Sequence, residues 1–301
     1  MTAGSFHLPV MVEEVVEGLA IIAGGIYVDA TYGGGGHAKA ILDRIGKGRL
    51  MVFDQDEEAL ALVPKDPRII AIHQNFRHLG RFLRLHGISQ VDGILADLGV
   101  SSHQVDEAER GFSFRQDARL DMRMDRRQEL DAAKILAEYP EDKLQQIFSE
   151  LGEVTNARTL ARTLVRARAA FPITTTGGLA SVVRTLVKGN PNRYIAKVFQ
   201  ALRIEVNDEL GALQDLLAAA TTALRPGGRM VVISFHSLED RLVKRAFRGT
   251  VEKDPDPFSR GTREKPPFRQ LNKKPLTPGP AEIASNPRAG SARMRIGERL
   301  T

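Results

Sequence analysis

Residues 29–38 read DATYGGGGHA and follow directly on a short apolar run. A glycine turn between a strand and a helix lets backbone approach a ligand closely, and the first amides of the helix suit a carboxylate or a phosphate. Gly33, Gly35 and Ala38 also satisfy the dinucleotide fingerprint G-x-G-x-x-A, and Asp54 lies at the acidic position expected about twenty residues further on. The stretch therefore predicts a site for a cofactor that contains a nucleoside. By itself it does not exclude a nicotinamide dinucleotide.

Four short apolar runs alternate with helical stretches in the first third of the chain. Each run is rich in Val, Ile and Leu and ends in polar or glycine residues, which is typical of buried parallel strands. Strands that alternate with helices imply right-handed βαβ units, so we predict a Rossmann-like α/β sheet. The runs are IYVDATYG at 26–33, RLMVFDQD at 49–56, RIIAIHQNF at 68–76 and VDGILADLG at 91–99.

Ligands of open α/β sheets bind outside the carboxyl ends of the strands, and this chain places polar and aromatic side chains there. Asp54 is suited to accept hydrogen bonds from both ribose hydroxyls of an adenosine, and His37 lies inside the glycine turn. Phe76 is a candidate to stack on adenine, although a core position explains it equally well. Asp97 ends the fourth run, where its carboxylate would accept a proton from a nucleophile or bind an amino group of the cofactor. It is the candidate catalytic residue.

The composition limits the chemistry and the setting. The 301 residues include no cysteine, and the seven histidines form no metal-ligand pattern, so we predict no disulfide and no catalytic metal. No signal segment and no apolar run of about 18 residues occurs, which predicts a cytoplasmic protein without membrane contact. The net charge is +6, and the segment 241–301 alone carries fifteen Lys or Arg against six Asp or Glu. Such a basic tail favours a polyanionic partner.

The strand pattern is interrupted in the middle of the chain and then resumes with RMVVISF at 229–235, which predicts another buried strand. We predict a discontinuous core domain over 1–104 and 191–301, with an inserted helical domain over 105–190. An apolar stripe from Ile195 to Leu210 predicts one long amphipathic helix at the return to the core. The segment 250–286 is rich in Pro, Lys and Arg and predicts an extended loop, after which SARMRIGERL predicts a last strand that closes the sheet edge.

Eight motifs occur in an order that closely resembles the RsmH family, also called MraW, of bacterial 16S ribosomal RNA cytosine-N4 methyltransferases. The resemblance spans nearly the whole chain and implies a class I methyltransferase sheet with an inserted helical domain, which uses S-adenosylmethionine. The motifs are FHLPVMVEEVV at 6–16, DATYGGGGHA at 29–38, DGILADLGVSS at 92–102, ERGFSF at 109–114, LDMRMD at 120–125, FQALRIEVNDEL at 199–210, GGRMVVISFHSLEDR at 227–241 and NPRAGSARMRI at 286–296.

The resemblance also implies a substrate and a set of contacts. The product would be N4-methylcytidine in the decoding centre, and the substrate would be 16S rRNA within the small ribosomal subunit. The inserted domain would then help to recognise RNA, with Arg110, Phe112, Phe114 and Arg123 as candidates in a loop over the site. By position in the matching motifs, the cofactor contacts are Gly35, Gly36, His37, Asp54, Phe76, Asp97 and Gln104.

Two other functions stay open at the level of sequence. The fingerprint with Asp54 is compatible with a nicotinamide-dependent oxidoreductase, and the basic tail is compatible with a non-catalytic RNA-binding ribosome assembly factor. Arg203 and Asn207, one helical turn apart, are further candidates to grip phosphates, and a solvated basic face explains them equally well. The oligomeric state, monomer or dimer, does not follow from the sequence.

Overall fold

The computed structural model describes residues 9–187, 189–248 and 266–301. The chain divides into two compact units. The first consists of Met1–Gly99 and Leu210–Thr301, and the second is Val100–Glu209.

The first unit is built on a seven-stranded sheet. Five of its strands follow apolar runs of the sequence, and most of the Val, Ile and Leu residues there are buried from both faces. The strand at 69–73 lies at the edge of the sheet, where only Ile72 is buried. The fifth strand also takes in the RPGG segment, with an irregular register against the fourth strand between Val91 and Gly93. The strands are β1 (Ile26–Asp29), β2 (Arg49–Asp54), β3 (Ile69–His73), β4 (Val91–Asp97), β5 (Leu224–Ser234), β6 (Phe268–Gln270) and β7 (Arg293–Arg299).

The strand order is β3-β2-β1-β4-β5-β7-β6. β1 to β5 pair in parallel, whereas β7 is antiparallel to both β5 and β6. A dinucleotide-binding sheet has the all-parallel order 3-2-1-4-5-6, so the reversed β7 between β5 and β6 separates this sheet from that class. The predicted Rossmann-like α/β fold is confirmed.

The structure corrects two predictions for the last part of the chain. β7 does not close the sheet, because β6 pairs with its outer side and forms the edge. The segment predicted as an extended loop over 250–286 holds this edge strand and a short helix, Pro280–Ser285. The residues 250–265 of that prediction lie outside the described part of the chain.

Helices cover both faces of the sheet in the first unit. One apolar layer packs α4 (Leu79–Leu85) and α11 (Glu209–Ala223) against the sheet, and the other packs α1 (Val12–Leu19) and α2 (Gly36–Leu42) on the opposite face. The helices of this unit are α1 (Val12–Leu19), α2 (Gly36–Leu42), α3 (Glu57–Leu60), α4 (Leu79–Leu85), α11 (Glu209–Ala223, which begins at the unit boundary), α12 (Ser237–Arg248) and α13 (Pro280–Ser285).

The second unit is helical, with its own core. Leu160, Ile195 and Phe148 are fully buried in one apolar cluster that draws on all five of its longer helices. An isolated bridge between Arg119 and Thr175 is the extent of β pairing among the described residues of this unit. Its helices are α5 (Ser102–Asp106), α6 (Ala132–Glu138), α7 (Glu141–Glu150), α8 (Ala157–Ala170), α9 (Thr176–Arg184) and α10 (Pro191–Asn207).

The predicted single helix after residue 190 is two helices, and the first of them belongs to the second unit. Asp208 adopts a left-handed conformation, with φ of 45°, and ends α10 before α11 begins at Glu209. The buried stripe of α10, which includes Ile195, Val198 and Leu202, packs in the second core. The boundary at which the chain returns to the first unit therefore falls after Glu209. We had predicted this return at residue 191.

The length and polarity of the helices bear on whether any of them could span a membrane. Within the described residues, none is long and apolar enough to cross a membrane.

Candidate functional site

Three aspartates lie along the carboxyl edge of the parallel strands. Because β1 lies between β2 and β4, Asp29 lies between Asp54 and Asp97 at this edge. Asp29 pairs in register with Val52 and Leu95, so the outer two aspartates each extend two residues beyond it. Sequence analysis had used Asp29 only to mark the start of the glycine turn. The structure shows that Asp29 is fully buried and adds its carboxyl group to the candidate site.

The glycine turn is held against β2 by backbone bonds. The Tyr32 amide donates to the Phe53 carbonyl at 2.9 Å, and the Gly33 amide donates to Asp54 Oδ2 at 2.8 Å. Gly33 and Gly35 have φ of 52° and 74°, the left-handed region that favours glycine. The turn then delivers the chain into α2 at the predicted cofactor contacts Gly36 and His37. Asp54 therefore positions the turn as well as ending β2.

His37 lies between the N-terminal segment and Asp97. Its Nε2 donates to the Val10 carbonyl at 2.8 Å, and its Nδ1 lies 3.7 Å from Asp97 Oδ2. The residue is 5% exposed. The structure thus brings together His37 of the glycine turn and Asp97 at the end of β4, which are remote in sequence. It also shows that Val10, which was not a candidate, fixes the orientation of the ring.

Asp97 is held by its backbone while part of its carboxylate is left unsatisfied. Its amide donates to Thr31 Oγ1 at 2.7 Å, and its Oδ1 is buried without a hydrogen-bond partner among the described residues. Burial, and then the negative charge of Glu239, raise the pKa of Asp97 to about 7. A pKa near neutral is suited to a group that accepts a proton at physiological pH.

Asp29, which pairs with a residue two positions before Asp97, also has a raised pKa and a buried carboxyl oxygen without a partner among the described residues. Its Oδ2 is buried without a partner in the described structure, although its Oδ1 accepts from the Thr31 amide at 3.1 Å. Burial raises the pKa of Asp29 to about 6, the charge of His37 opposes the rise, and Asp97 and Asp54 add to it. Burial also raises the pKa of Asp54. The edge is therefore short of positive charge.

This shortage of positive charge indicates the kind of cofactor that fits. S-adenosylmethionine carries a sulfonium and an ammonium, whose positive charges would compensate the carboxylates at this edge. A dinucleotide would instead bring a pyrophosphate, whose negative charges would repel the same carboxylates. The donor set fits a cationic cofactor with a ribose, for which Asp54 remains the predicted ligand.

Two further predicted cofactor contacts are Phe76 and Gln104. Phe76 begins a short 3₁₀ segment after β3 and is half-buried against the core, so both predicted roles for its ring stay open. Gln104 belongs to the second unit, where its side chain completes a capping box with Ser101 at the start of α5. Asp56, which lies two residues after the end of β2, caps α3 by accepting from the Glu58 amide.

The structure gives several predicted RNA contacts a structural role instead. Arg110 is 2% exposed and donates to the carbonyls of Arg123 and Met124. Asn207 is buried and bonds the backbone of Met122 and Met124. Neither the family resemblance, which suggested Arg110, nor the polarity of Asn207 reveals a local backbone partner. In the same way, Arg123 pairs with Asp121 at 2.7 Å, Arg203 pairs with Glu209 at 2.8 Å, and Phe114 packs edge-on against Phe199.

Glu239 is a site residue that sequence analysis missed. It is 2% exposed at the start of α12, and its Oε2 accepts from the amides of Phe235 and His236. A glutamate in the first turn of a helix is typical of a residue that caps the helix. Its position in the sequence therefore gives no sign that it also affects Asp97. Its charge nevertheless raises the pKa of Asp97, as described above.

The glycine turn yields a first prediction. A Cβ at Gly35 would lie 2.5 Å from the Tyr32 hydroxyl, and the left-handed φ adds about 1–2 kcal/mol for any other residue. We expect Gly35→Ala to weaken binding of S-adenosylhomocysteine at least about tenfold by calorimetry. Gly279→Ala is the control, because nothing lies within 4 Å of its Cβ position. Equal affinities in the two variants would contradict the assignment of this turn.

The fold and the site together define an S-adenosylmethionine-dependent methyltransferase. Comparisons with known proteins identify its family: the model of the MraW methylase family matches residues 4–300. The chain belongs to this family. The predicted resemblance and the predicted cofactor are confirmed, and the nicotinamide alternative is not supported.

Curated relatives share the whole length of the chain. A protein of Bacteroides thetaiotaomicron named "Ribosomal RNA small subunit methyltransferase H" is 50% identical over 298 residues, which are 98% of each chain. A protein of Flavobacterium johnsoniae with the same name is 49% identical over 302 residues, which are 99% of each chain.

Solved structures give a looser likeness. An rRNA methylase from Streptococcus thermophilus has a TM-score of 0.44 at 9% identity, with 98% of this chain and 99% of that one covered. A putative methyltransferase from Streptococcus mutans in complex with SAH also has a TM-score of 0.44, at 11% identity, with 98% and 100% covered.

Proposed function

We propose that this protein transfers a methyl group from S-adenosylmethionine to the N4 amine of a cytidine in the decoding centre of 16S rRNA. The names of the full-length relatives, which are small-subunit rRNA methyltransferases, support the substrate. The observation that carries the chemistry is the buried, unsatisfied Asp97 Oδ1 at the edge that holds the glycine turn. We further propose that the enzyme works in the cytoplasm on RNA within the small ribosomal subunit.

Asp97 has two tasks in this proposal. An exocyclic amine of cytosine is a weak nucleophile, because its lone pair is delocalised into the ring. A carboxylate oxygen that accepts a hydrogen bond from an N–H group of this amine raises the electron density on the nitrogen. The same carboxylate takes the proton once the amine has been methylated. The bound S-adenosylmethionine supplies an electrophilic methyl group on a sulfonium.

Neighbouring residues keep Asp97 in place for these tasks. Thr31 fixes its backbone, and Nδ1 of His37 lies on the side of Oδ2, which leaves Oδ1 as the oxygen for a ligand. Fixed geometry matters because methyl transfer needs the nucleophile, methyl and sulfur in line. We propose that the turn residues Gly35 and Gly36, with Asp54, set the position of the donor.

The raised pKa of Asp97 predicts a pH dependence. Only the ionised carboxylate accepts a proton, and with a pKa of about 7 this form is lost as the pH falls below neutral. We expect kcat/KM for S-adenosylmethionine to rise with pH through about 7 and then to level off. In Glu239→Gln the midpoint should move to lower pH, because the charge that raises the pKa is gone. A flat profile in the wild type between pH 6 and 8 would contradict the acceptor role.

Transfer of labelled methyl groups tests the substrate. The protein is incubated with labelled S-adenosylmethionine and, in separate reactions, with naked 16S rRNA and with small ribosomal subunits that lack the modification. We expect label in RNA from at least one of the two substrates. Label in neither, from a protein that still binds S-adenosylhomocysteine, would overturn the proposed substrate.

A further inference from the structure

Helix α8 of the second unit carries a row of three exposed arginines, Arg158, Arg162 and Arg166. They are spaced by four residues, so they lie along one ridge of the helix and about 6 Å apart along its axis. None of the three makes a hydrogen bond or an ion pair with any residue in the part of the chain that the structure describes. We call these residues the arginine row.

Packing fixes the direction in which the row faces. The opposite side of α8, with Leu160 and Leu164, is fully buried in the core of the second unit. A helix anchored in this way cannot rotate the row toward its own unit without exposing the leucines. The guanidinium groups are therefore presented on a rigid element, where their spacing is maintained.

The fold alone does not account for these charges. α8 has no acidic residue among its 14 positions, and its N-cap residue, Asn156, makes no side-chain capping bond. Arg158 lies in the first turn, where the helix dipole disfavours a positive charge. Like charges four residues apart destabilise a helix by about 0.2–0.5 kcal/mol per pair. The row therefore lowers the stability of its own helix.

Other arginines of the same unit are used differently. Arg123 forms two short bonds with Asp121, and Arg127 pairs with Asp125 at 2.8 Å. In these cases the acid precedes the arginine by two residues, so the charge is neutralised locally. None of the three arginines of the row has an acid two residues before it.

We propose that the arginine row binds the phosphodiester backbone of the substrate RNA. The inference rests on the proposed function, and it locates one RNA-binding surface on the inserted unit. Guanidinium groups bind phosphates through paired N–H donors, and a row on one ridge suits consecutive phosphates of a strand. Such contacts position the RNA without reading its sequence. No hydrophobic side chain interrupts the ridge, which favours a polyanion over a protein partner.

Salt dependence of RNA binding tests the row. The variant Arg158→Gln/Arg162→Gln/Arg166→Gln removes three charges and keeps good helix formers. Each lost phosphate contact flattens the slope of log K against log salt concentration by about 0.7–0.9. We expect the slope for a 16S rRNA fragment to fall by about 2 and the Kd to rise at least about tenfold. At saturating RNA, kcat should stay within twofold of the wild type.

A matched control removes the same charge elsewhere. Lys47, Arg49 and Lys65 are exposed and unpartnered within the described structure, and they lie at the amino ends of β2 and β3, opposite the carboxyl edge. The variant Lys47→Gln/Arg49→Gln/Lys65→Gln should keep the wild-type slope apart from a small long-range effect. Arg158→Lys/Arg162→Lys/Arg166→Lys retains the charges and should restore most of the slope, which excludes a folding defect as the cause.

The outcomes separate this inference from the proposed function. If the wild type methylates RNA and the glutamine row variant matches the control in slope and Kd, the row does not bind RNA and the inference is overturned. If the wild type neither binds nor methylates the RNA, the proposed function itself fails. Loss of slope in the row variant alone, with affinity for S-adenosylhomocysteine unchanged, supports the inference.

Discussion

Asp97→Asn is expected to lower the rate of methyl transfer at saturating substrates by about 10²–10⁴-fold, the usual contribution of a general base. The amide is nearly the same size as the carboxylate, and the backbone bond to Thr31 is not affected. What is lost is an oxygen that can take a proton. Single-turnover assays with saturating S-adenosylmethionine measure the effect without a contribution from cofactor affinity.

The alternative role of Asp97 gives a different result. If the carboxylate only binds the amino group of the cofactor, a high concentration of S-adenosylmethionine restores kcat in the variant and only KM rises. Asp43→Asn is the matched control, because Asp43 forms an exposed pair with Lys39 on α2 and lies outside the site. A wild-type rate in Asp97→Asn together with an unchanged KM for S-adenosylmethionine would contradict both roles.

Asp240→Ala is expected to destabilise the protein by about 3–5 kcal/mol, with a fall in Tm of roughly 10 °C. Asp240 on α12 accepts two bonds from Arg295 on β7, at 2.6 and 3.0 Å. Arg295 is 3% exposed, so removal of the acid leaves a buried charge without its partner. Thermal unfolding of the purified variant measures the effect.

Two further variants show whether the unpaired charge is the cause. Asp240→Leu/Arg295→Met removes both partners and should recover most of the stability, because an apolar pair of similar volume can replace a buried ion pair. Asp43→Ala, which breaks an exposed pair, should change the stability by less than about 1 kcal/mol. A loss of less than 1 kcal/mol in Asp240→Ala would show that the buried pair does not stabilise the fold.

This ion pair joins two of the motifs on which the family resemblance rests. Asp240 belongs to GGRMVVISFHSLEDR and Arg295 to NPRAGSARMRI, and the two lie far apart in sequence. Their pairing fastens α12 to the reversed strand β7. Some motif residues therefore maintain the fold at the edge of the site, and the basic charge of the tail is partly neutralised within the protein.

The sequence was sufficient to predict the parallel half of the sheet. β1 to β5 are runs of Val, Ile and Leu, and a strand buried on both faces requires such residues whatever its neighbours are. β6 has only three residues and lies in a stretch rich in Pro and Lys, so it has no hydrophobic pattern of its own. It is a strand because β7 offers it a partner, which is a tertiary effect.

The sequence did not predict the break between α10 and α11 or the boundary between the two units, and the reasons are related. Asp208 is the residue that leaves the helical conformation. An aspartate at this position is not a sequence signal for the end of a helix. The apolar stripe of α10 predicts burial, but it does not say in which of two cores the helix is buried. The same limit applies to Asp29, because a fully buried carboxyl at a strand end looks like any polar residue that follows a strand.

The site residues were predicted where their position on a strand end was sufficient. Asp54 and Asp97 follow from the topology, since the carboxyl ends of parallel strands share one edge. The contact between His37 and Asp97, and the effect of Glu239 on Asp97, depend on distances between side chains that are remote in sequence. Charge was the least reliable guide, because Arg110 and Arg123 were assigned to RNA and instead bind local backbone and carboxyl groups.

The central claim is that this methyltransferase modifies the N4 amine of a cytidine in small-subunit rRNA. The most direct test is mass spectrometry of nucleosides from small subunits lacking the modification, after incubation with the protein and S-adenosylmethionine. We predict that one cytidine becomes N4-methylcytidine, separated by chromatography from the isomer methylated at C5, and that Asp97→Asn produces none at the same time point. A methylated nucleoside other than N4-methylcytidine, or no methylated nucleoside from a protein that binds S-adenosylhomocysteine, would contradict the account.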